Sequence, residues 1–166
     1  MPMSPSAPDA LFDALVVLRD EASGWQRAML AQVPEPTLGA GALRLARQLR
    51  ALVACDADAV LGALLLDDGV PYADVHPLMV GALCELVAVR LGLECSLRDR
   101  LLAAVFSCNL ALGPLQGALA APGPLDASLR EAIHAHPAQS HALLQRHGVD
   151  DPLWLAIVLQ HHERPD

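Results

Sequence analysis

The sequence predicts an all-α fold, a multi-helix bundle with short connections, and three observations carry that expectation. Apolar residues make up 54% of the 166-residue chain and aromatic residues only 3%, so Ala and Leu supply most of the apolar surface, and both are strong helix formers. Runs of Val, Ile, Thr and aromatic residues, the mark of strands, are missing. Apolar positions recur at three- and four-residue spacing between prolines, glycines and aspartates placed where helices start and stop. A chain of this length is one domain by size, long enough to bury a core.

Residues 1–8 read as a disordered lead-in, without the basic start and apolar stretch of a secretory signal. Leu11, Leu15, Leu18, Met29, Leu30 and Val33 then suggest one or two amphipathic helices, broken by Pro34-Glu35-Pro36, since proline cannot continue the hydrogen-bond ladder. A helix over 39–54 carries Leu43, Ala46, Leu49, Leu52 and Val53 on one side. Its Arg44, Arg47 and Arg50 read as a solvated face. Asp56 or Asp58 caps the next helix, over 59–66, and Asp67-Asp68-Gly69 ends it. A long helix opens at Tyr72 and runs to Leu91, with Gly92 as its stop. Ser96-Leu97-Arg98-Asp99 has the form of a capping box for a helix through Ala111. Gly113-Pro114 and Pro122-Gly123-Pro124 bracket a loose stretch. Asp126 caps a short helix to His136, Pro137 opens the next to Gly148, and Asp151-Pro152 opens the last. About eight or nine helices result.

The formal net charge is −8 and all eleven basic residues are arginines. An acidic chain without a basic run lacks what neutralises phosphates, so no nucleic acid is expected as partner. The lack of lysine excludes any mechanism with a lysine at the reacting centre. No apolar run reaches the roughly 18 uninterrupted residues of a membrane span, and the expected location is the cytoplasm, with no membrane partner. Cys55, Cys84, Cys95 and Cys108 show no CxxC pairing and read as buried free thiols. Trp154, at helical spacing with Ile157 and Val158, reads as core with an N–H that needs an acceptor. Glu85 reads as a surface charge. Arg90, Arg98 and Arg100 read as surface ion pairs, and His141 and His147 as exposed.

The histidines point to chemistry. His161-His162 ends an apolar run, and two adjacent imidazoles are costly to bury unless something binds their ring nitrogens. A metal ion is one answer and solvent at a helix end is the other. His76 opens one helix, His136 stands at a helix junction, and side chains converging from several helices are how bundles build metal sites. His134 turns away from His136 on a helix.

Several stretches share an order with a known family: Val75-His76-Pro77, Ala82-Leu83-Cys84-Glu85-Leu86-Val87, Leu91-Gly92-Leu93, Ala103-Ala104, Pro122-Gly123-Pro124-Leu125, Ile133-His134-Ala135-His136-Pro137 and His161-His162-Glu163-Arg164-Pro165-Asp166. In order and spacing they resemble the HD-GYP branch of the HD superfamily of metal-dependent phosphohydrolases, over residues 59–166. The resemblance implies an HD-domain-like helical bundle that holds two or three metal ions, often iron or manganese. It also implies bacterial cyclic di-GMP signalling, in which active members hydrolyse the phosphodiester. It matches His76 to the first ligand, His136 to the histidine before proline, and His161 and His162 to the paired histidines. Asp166 matches the aspartate before the Gly-Tyr-Pro signature. Residues 9–58 carry no resemblance and read as a helical extension that packs on the core or a dimerisation element.

The departures are at the centre. Cys108 and Asn109 fall on the family's histidine-aspartate pair, or Ser107 and Cys108 with a one-residue shift, and its lysine is also missing. A bridging carboxylate supplies charge and positions water, which asparagine does not do. The chain ends before the Gly-Tyr-Pro loop, so the 59–166 unit is expected to be incomplete. His76, His136, His161 and His162 are then expected to hold one transition metal (iron, manganese, zinc or nickel) or none, and not a bimetallic centre. The expected function is a degenerate domain without phosphodiesterase activity that acts in signalling or protein interaction. A protein partner or self-association is expected, with a cyclic dinucleotide as a further ligand. The alternative is a phosphohydrolase with a reduced histidine site, in which Cys108 or Asn109 takes part.

Overall fold

Three aspartates set the helix starts that the sequence makes plainest. Asp56 Oδ1 accepts from the Ala59 N–H at 2.9 Å, Asp126 Oδ1 from Leu129 at 2.7 Å, and Asp151 Oδ1 from Leu153 and Trp154 at 3.0 and 2.9 Å. Each satisfies amide hydrogens that the first turn of a helix leaves without a partner. The computed structural model describes residues 7–30, 37–66 and 69–163. Helix α1 begins at Ala7, so the last two residues of the lead-in expected over 1–8 are helical; its residues 1–6, Pro34-Glu35-Pro36, Asp67-Asp68 and Asp166 lie outside the described residues.

The described residues form eight α-helices and one 3-10 helix, with no strand: α1 Ala7–Met29, α2 Leu38–Cys55, α3 Ala57–Leu66, α4 Tyr72–Arg90, α5 Cys95–Ser107, a 3-10 helix Leu110–Leu115, α6 Gln116–Leu119, α7 Ala127–Arg146 and α8 Pro152–Gln160. The fold is therefore all-α. One core cluster draws on all the long helices: Leu18 and Met29 of α1, Leu45 and Leu49 of α2, Leu78 of α4, Leu102 and Phe106 of α5, Leu144 of α7 and Val158 of α8. Helices α1 and α2, the stretch without resemblance, thus belong to the same packed interior. At the α2–α4 crossing a Cβ on Gly81 would stand 2.6 Å from Leu49 Cδ2, so the two helices approach at the distance glycine allows. At the end of α4 the amides of Gly92 and Leu93 return to the carbonyls of Val89 and Ala88. Gly92 has φ +69°, the left-handed cap of a Schellman motif.

Several expectations are corrected. The capping box at Ser96 does not form: α5 starts at Cys95 with no side-chain cap. Its Asp99 is buried instead, accepting from Arg47 Nε at 2.7 Å and from Arg50. Glu85 is not a surface charge; it is 1% exposed, held by Arg50 Nε at 3.3 Å and by Arg98, whose Nε lies 3.1 Å away. A carboxylate this deep is tolerable only when cations and hydrogen bonds surround it. The arginine stripe of α2 is therefore partly an internal clasp between α2, α4 and α5, and Arg98 is part of it rather than a surface ion pair. Arg100 does pair near the surface, 3.7 Å from Asp151.

Helix α5 ends at Ser107 rather than running through Ala111. Ser107 Oγ donates back to the Ala103 carbonyl at 2.8 Å and accepts from Trp154 Nε1 at 2.7 Å, the partner the indole required. Helix α7 is continuous, with Pro137 in its interior, so His136 sits mid-helix and not at a junction. His147 is fully buried, its Nε2 donating to the Met29 carbonyl at 2.9 Å, and His141 is half-buried. All four cysteines are free, but Cys55 and Cys95 are exposed and only Cys84 and Cys108 are partly buried. The stretches Tyr72–Arg90 and Cys95–Leu119 have the length and hydropathy of a membrane span. The first carries the clasped Glu85, and both pack into the core.

Candidate metal centre

Pro137 explains the orientation of the histidine before it. In a regular helix an N–H at position 137 would bond the carbonyl of Ile133; proline has none. That carbonyl accepts instead from His136 Nδ1, at 2.5 Å. His161 is oriented in the same way from another source. It follows the last turn of α8, where carbonyls have no intrahelical donor, and its Nδ1 donates to Val158 O at 2.8 Å. With both Nδ1 hydrogens fixed, both Nε2 atoms carry lone pairs, and these face each other at 3.0 Å. Two lone pairs so close repel unless a proton or a metal ion lies between them.

His162 completes the group. Its ring centroid lies 4.3 Å from that of His161 and 5.1 Å from that of His136. Ligand nitrogens of the three histidines all fall within 4.8 Å of one another. Nitrogens about 2.0–2.1 Å from a zinc-sized ion stand roughly 3.0–3.4 Å apart in tetrahedral or adjacent octahedral positions, so the trio fits one ion with a small movement of exposed His162. Burial pushes His136 and His161 below the ordinary imidazole value, opposed in part by the carbonyl each ring binds. The rings are thereby held neutral, as ligation demands.

His136 and His162 of the trio line a cleft of about 540 Å³ that α1, α4, the 3-10 helix, α6 and α7 border. The structure brings His76 and Asn109 to the same cleft. His76 stands outside the group of three and stacks on Tyr72, with centroids 4.6 Å apart; burial lowers its pKa as well. Cys108 does not line the cleft: its Sγ points to the Val105 carbonyl at 3.4 Å, and burial pushes the thiol up to about 11. Ser107 is likewise turned to Trp154. Asn109 is thus the member of the central segment that faces the cleft, and among the described residues no carboxylate joins the histidines. Gln26 and Gln116, which also line it, left no signal in the sequence, since an isolated glutamine on an amphipathic helix reads as surface. The orienting role of Ile133 was legible in principle from a proline directly after a histidine. Compared with known proteins, the chain matches no family model, no curated protein and no solved structure.

Proposed function

We propose that this chain is a degenerate HD-GYP-type domain that holds a single transition metal on His136, His161 and His162, does not hydrolyse phosphodiesters, and serves as a signalling or protein-interaction module. One observation carries the reading: the cleft beside three convergent imidazoles presents the carboxamide of Asn109 where the resemblance calls for a bridging carboxylate. Three neutral nitrogens suit zinc, iron or nickel and give magnesium or manganese little of the anionic oxygen they favour. A bound ion there would supply Lewis acidity. His136 and His161 would hold it through Nε2, their rings fixed by Ile133 and Val158, and His162 would close the set from the solvent side. Without an anionic bridge a second cation is not retained, and no side chain among the described lining residues has the charge to position water between two ions.

The interaction role is supported by apolar side chains left in solvent, among them Val16 and Leu66 at the α1–α3 groove, Leu83 and Val87 on α4 and Leu91 just after it. A second reading, a phosphohydrolase with a reduced site, is favoured by the neutral His76 imidazole in the same cleft, a group able to hold or pass a proton at its ring nitrogen. Elemental analysis together with a cyclic di-GMP hydrolysis assay decides between them. The module reading expects one equivalent of metal, lost in His161→Ala, and turnover no higher than the metal-free blank. Turnover that requires His161 and His76 would establish the enzyme, and absence of metal would remove the metal from both readings.

A further inference from the structure

We infer that the cleft takes a small, uncharged, largely apolar molecule with one hydrogen-bonding head group, and excludes cyclic dinucleotides. The inference rests on the cleft being the site this domain uses, but not on the metal. Leu30, Leu112, Leu119 and Ile133 give it apolar surface from the turn after α1, the 3-10 helix, α6 and α7. The polar side chains among its described lining residues are the carboxamides of Gln26, Asn109 and Gln116, the imidazoles and the Tyr72 hydroxyl; none of these described residues is an arginine, aspartate or glutamate. Gln26 is held in place by the bond from its Nε2 to Phe106 O at 3.2 Å, which leaves Oε1 as an acceptor. A carboxamide both donates and accepts, so this set reads an amide, an alcohol or a carbonyl. At about 540 Å³ the space lies within the roughly 300–1,000 Å³ of small-molecule sites, which are mostly apolar with a few placed polar groups.

Phosphodiester recognition needs cationic side chains that the described lining residues lack. Two phosphates carry two negative charges, and proteins meet them with arginine forks, lysines or backbone amides. Here Arg44, Arg47, Arg50, Arg98 and Arg100 are committed to carboxylates elsewhere in the fold. The chain as a whole carries −8, a field that repels an anion on approach. Burying a charge of either sign against the apolar wall without a partner is costly, which sets an uncharged head group above a charged one.

The test is a methyl NMR titration of the full chain after chelation, with octanamide, octanoate, octylammonium and cyclic di-GMP as probes. Octanamide is expected to shift the methyls of Leu30, Leu112, Leu119 and Ile133 to saturation, leaving those of core Leu45 and Leu49 in place. The two charged analogues, with the same chain, should bind about tenfold or more weakly. Ala120→Trp, at an exposed lining position, should fill the cleft and abolish the shifts; Gln116→Trp gives the same reading if that variant does not fold. Saturable cyclic di-GMP shifts at these methyls, octanamide shifts at none of them, or octanamide binding that survives both tryptophans overturns the inference. Metal uptake is measured separately, so a protein that takes octanamide and no zinc refutes the metal reading alone, and one that takes zinc and no octanamide refutes this inference alone.

Discussion

At position 137 a missing N–H has its consequence one residue earlier. Pro137→Ala would return a donor to the Ile133 carbonyl in competition with His136 Nδ1. The ring would then be free to rotate or to change tautomer. Loss of such an outer hydrogen bond typically weakens a metal site about 10- to 100-fold, and calorimetric zinc titration of the variant should show a drop of that order. The same substitution removes proline from a helix interior, so the thermal midpoint should rise. Tighter folding with looser metal binding separates an orienting proline from one that merely shapes the helix, and unchanged affinity would end the argument. Asn109 makes the complementary case. Asn109→Asp puts a carboxylate into the cleft shared with the histidines, and the expected outcome is tighter metal binding and a stoichiometry above one by elemental analysis. No change would mean that position 109 does not reach the ion.

Between helices, the clasp of Arg50 and Arg98 on Glu85 and of Arg47 and Arg50 on Asp99 ties α2, α4 and α5 together. Glu85→Gln would leave two guanidiniums without their anion, and breaking a buried pair from one side costs about 3–5 kcal/mol. The low end of that range is expected in urea denaturation, because Arg50 and Arg98 keep some contact with water. Glu85 also marks where the sequence stopped being readable. Helix α4 is apolar on most of its circumference, so periodicity could not say which side faces inward, and a lone glutamate in it looked like the solvent side. The caps at Asp56, Asp126 and Asp151 and the stop at Gly92 were legible because their chemistry is local: one side chain and the next three amides, or one left-handed glycine. Pro137 misled for the same reason. Local rules start helices at proline, whereas the packing of α7 on α8 and the 3-10 helix carries this helix through it. The site was half legible. Histidine order drew attention to four positions, but which three would converge depended on chain paths that no local pattern encodes.

Across the whole molecule, acid should act through three imidazoles that are partly or fully withdrawn from water. His76, His136 and His161 all lie below the ordinary value of 6.5, with burial the largest cause in each. A base with a lowered pKa in the folded chain binds its proton first in the unfolded chain. Their contribution is therefore neutral above about pH 7 and destabilising as pH falls through 6.5 and toward their folded values. Urea midpoints of metal-free protein should fall between pH 7.5 and 5.5, and His161→Ala should reduce that fall. A flat profile would contradict neutral, desolvated rings.

The same scale governs association. Val87 on α4 is 58% exposed, Leu91 at its C-terminal end 68%, and Leu66 on α3 81%. Apolar side chains clustered along a groove, rather than scattered singly, mark surfaces that another molecule covers. Sedimentation equilibrium of wild-type protein should show a concentration-dependent dimer. Val87 is exposed and outside the core cluster, so Val87→Glu is expected to keep the fold while placing a charge on the α4 face, where burial without a partner is costly. If that face is the contact, the variant is monomeric at concentrations where wild type is not. If Val16→Glu has this effect instead, the contact is the α1–α3 groove. A wild-type monomer at every concentration would assign both faces to a different protein or to none, and would remove self-association from the proposed role.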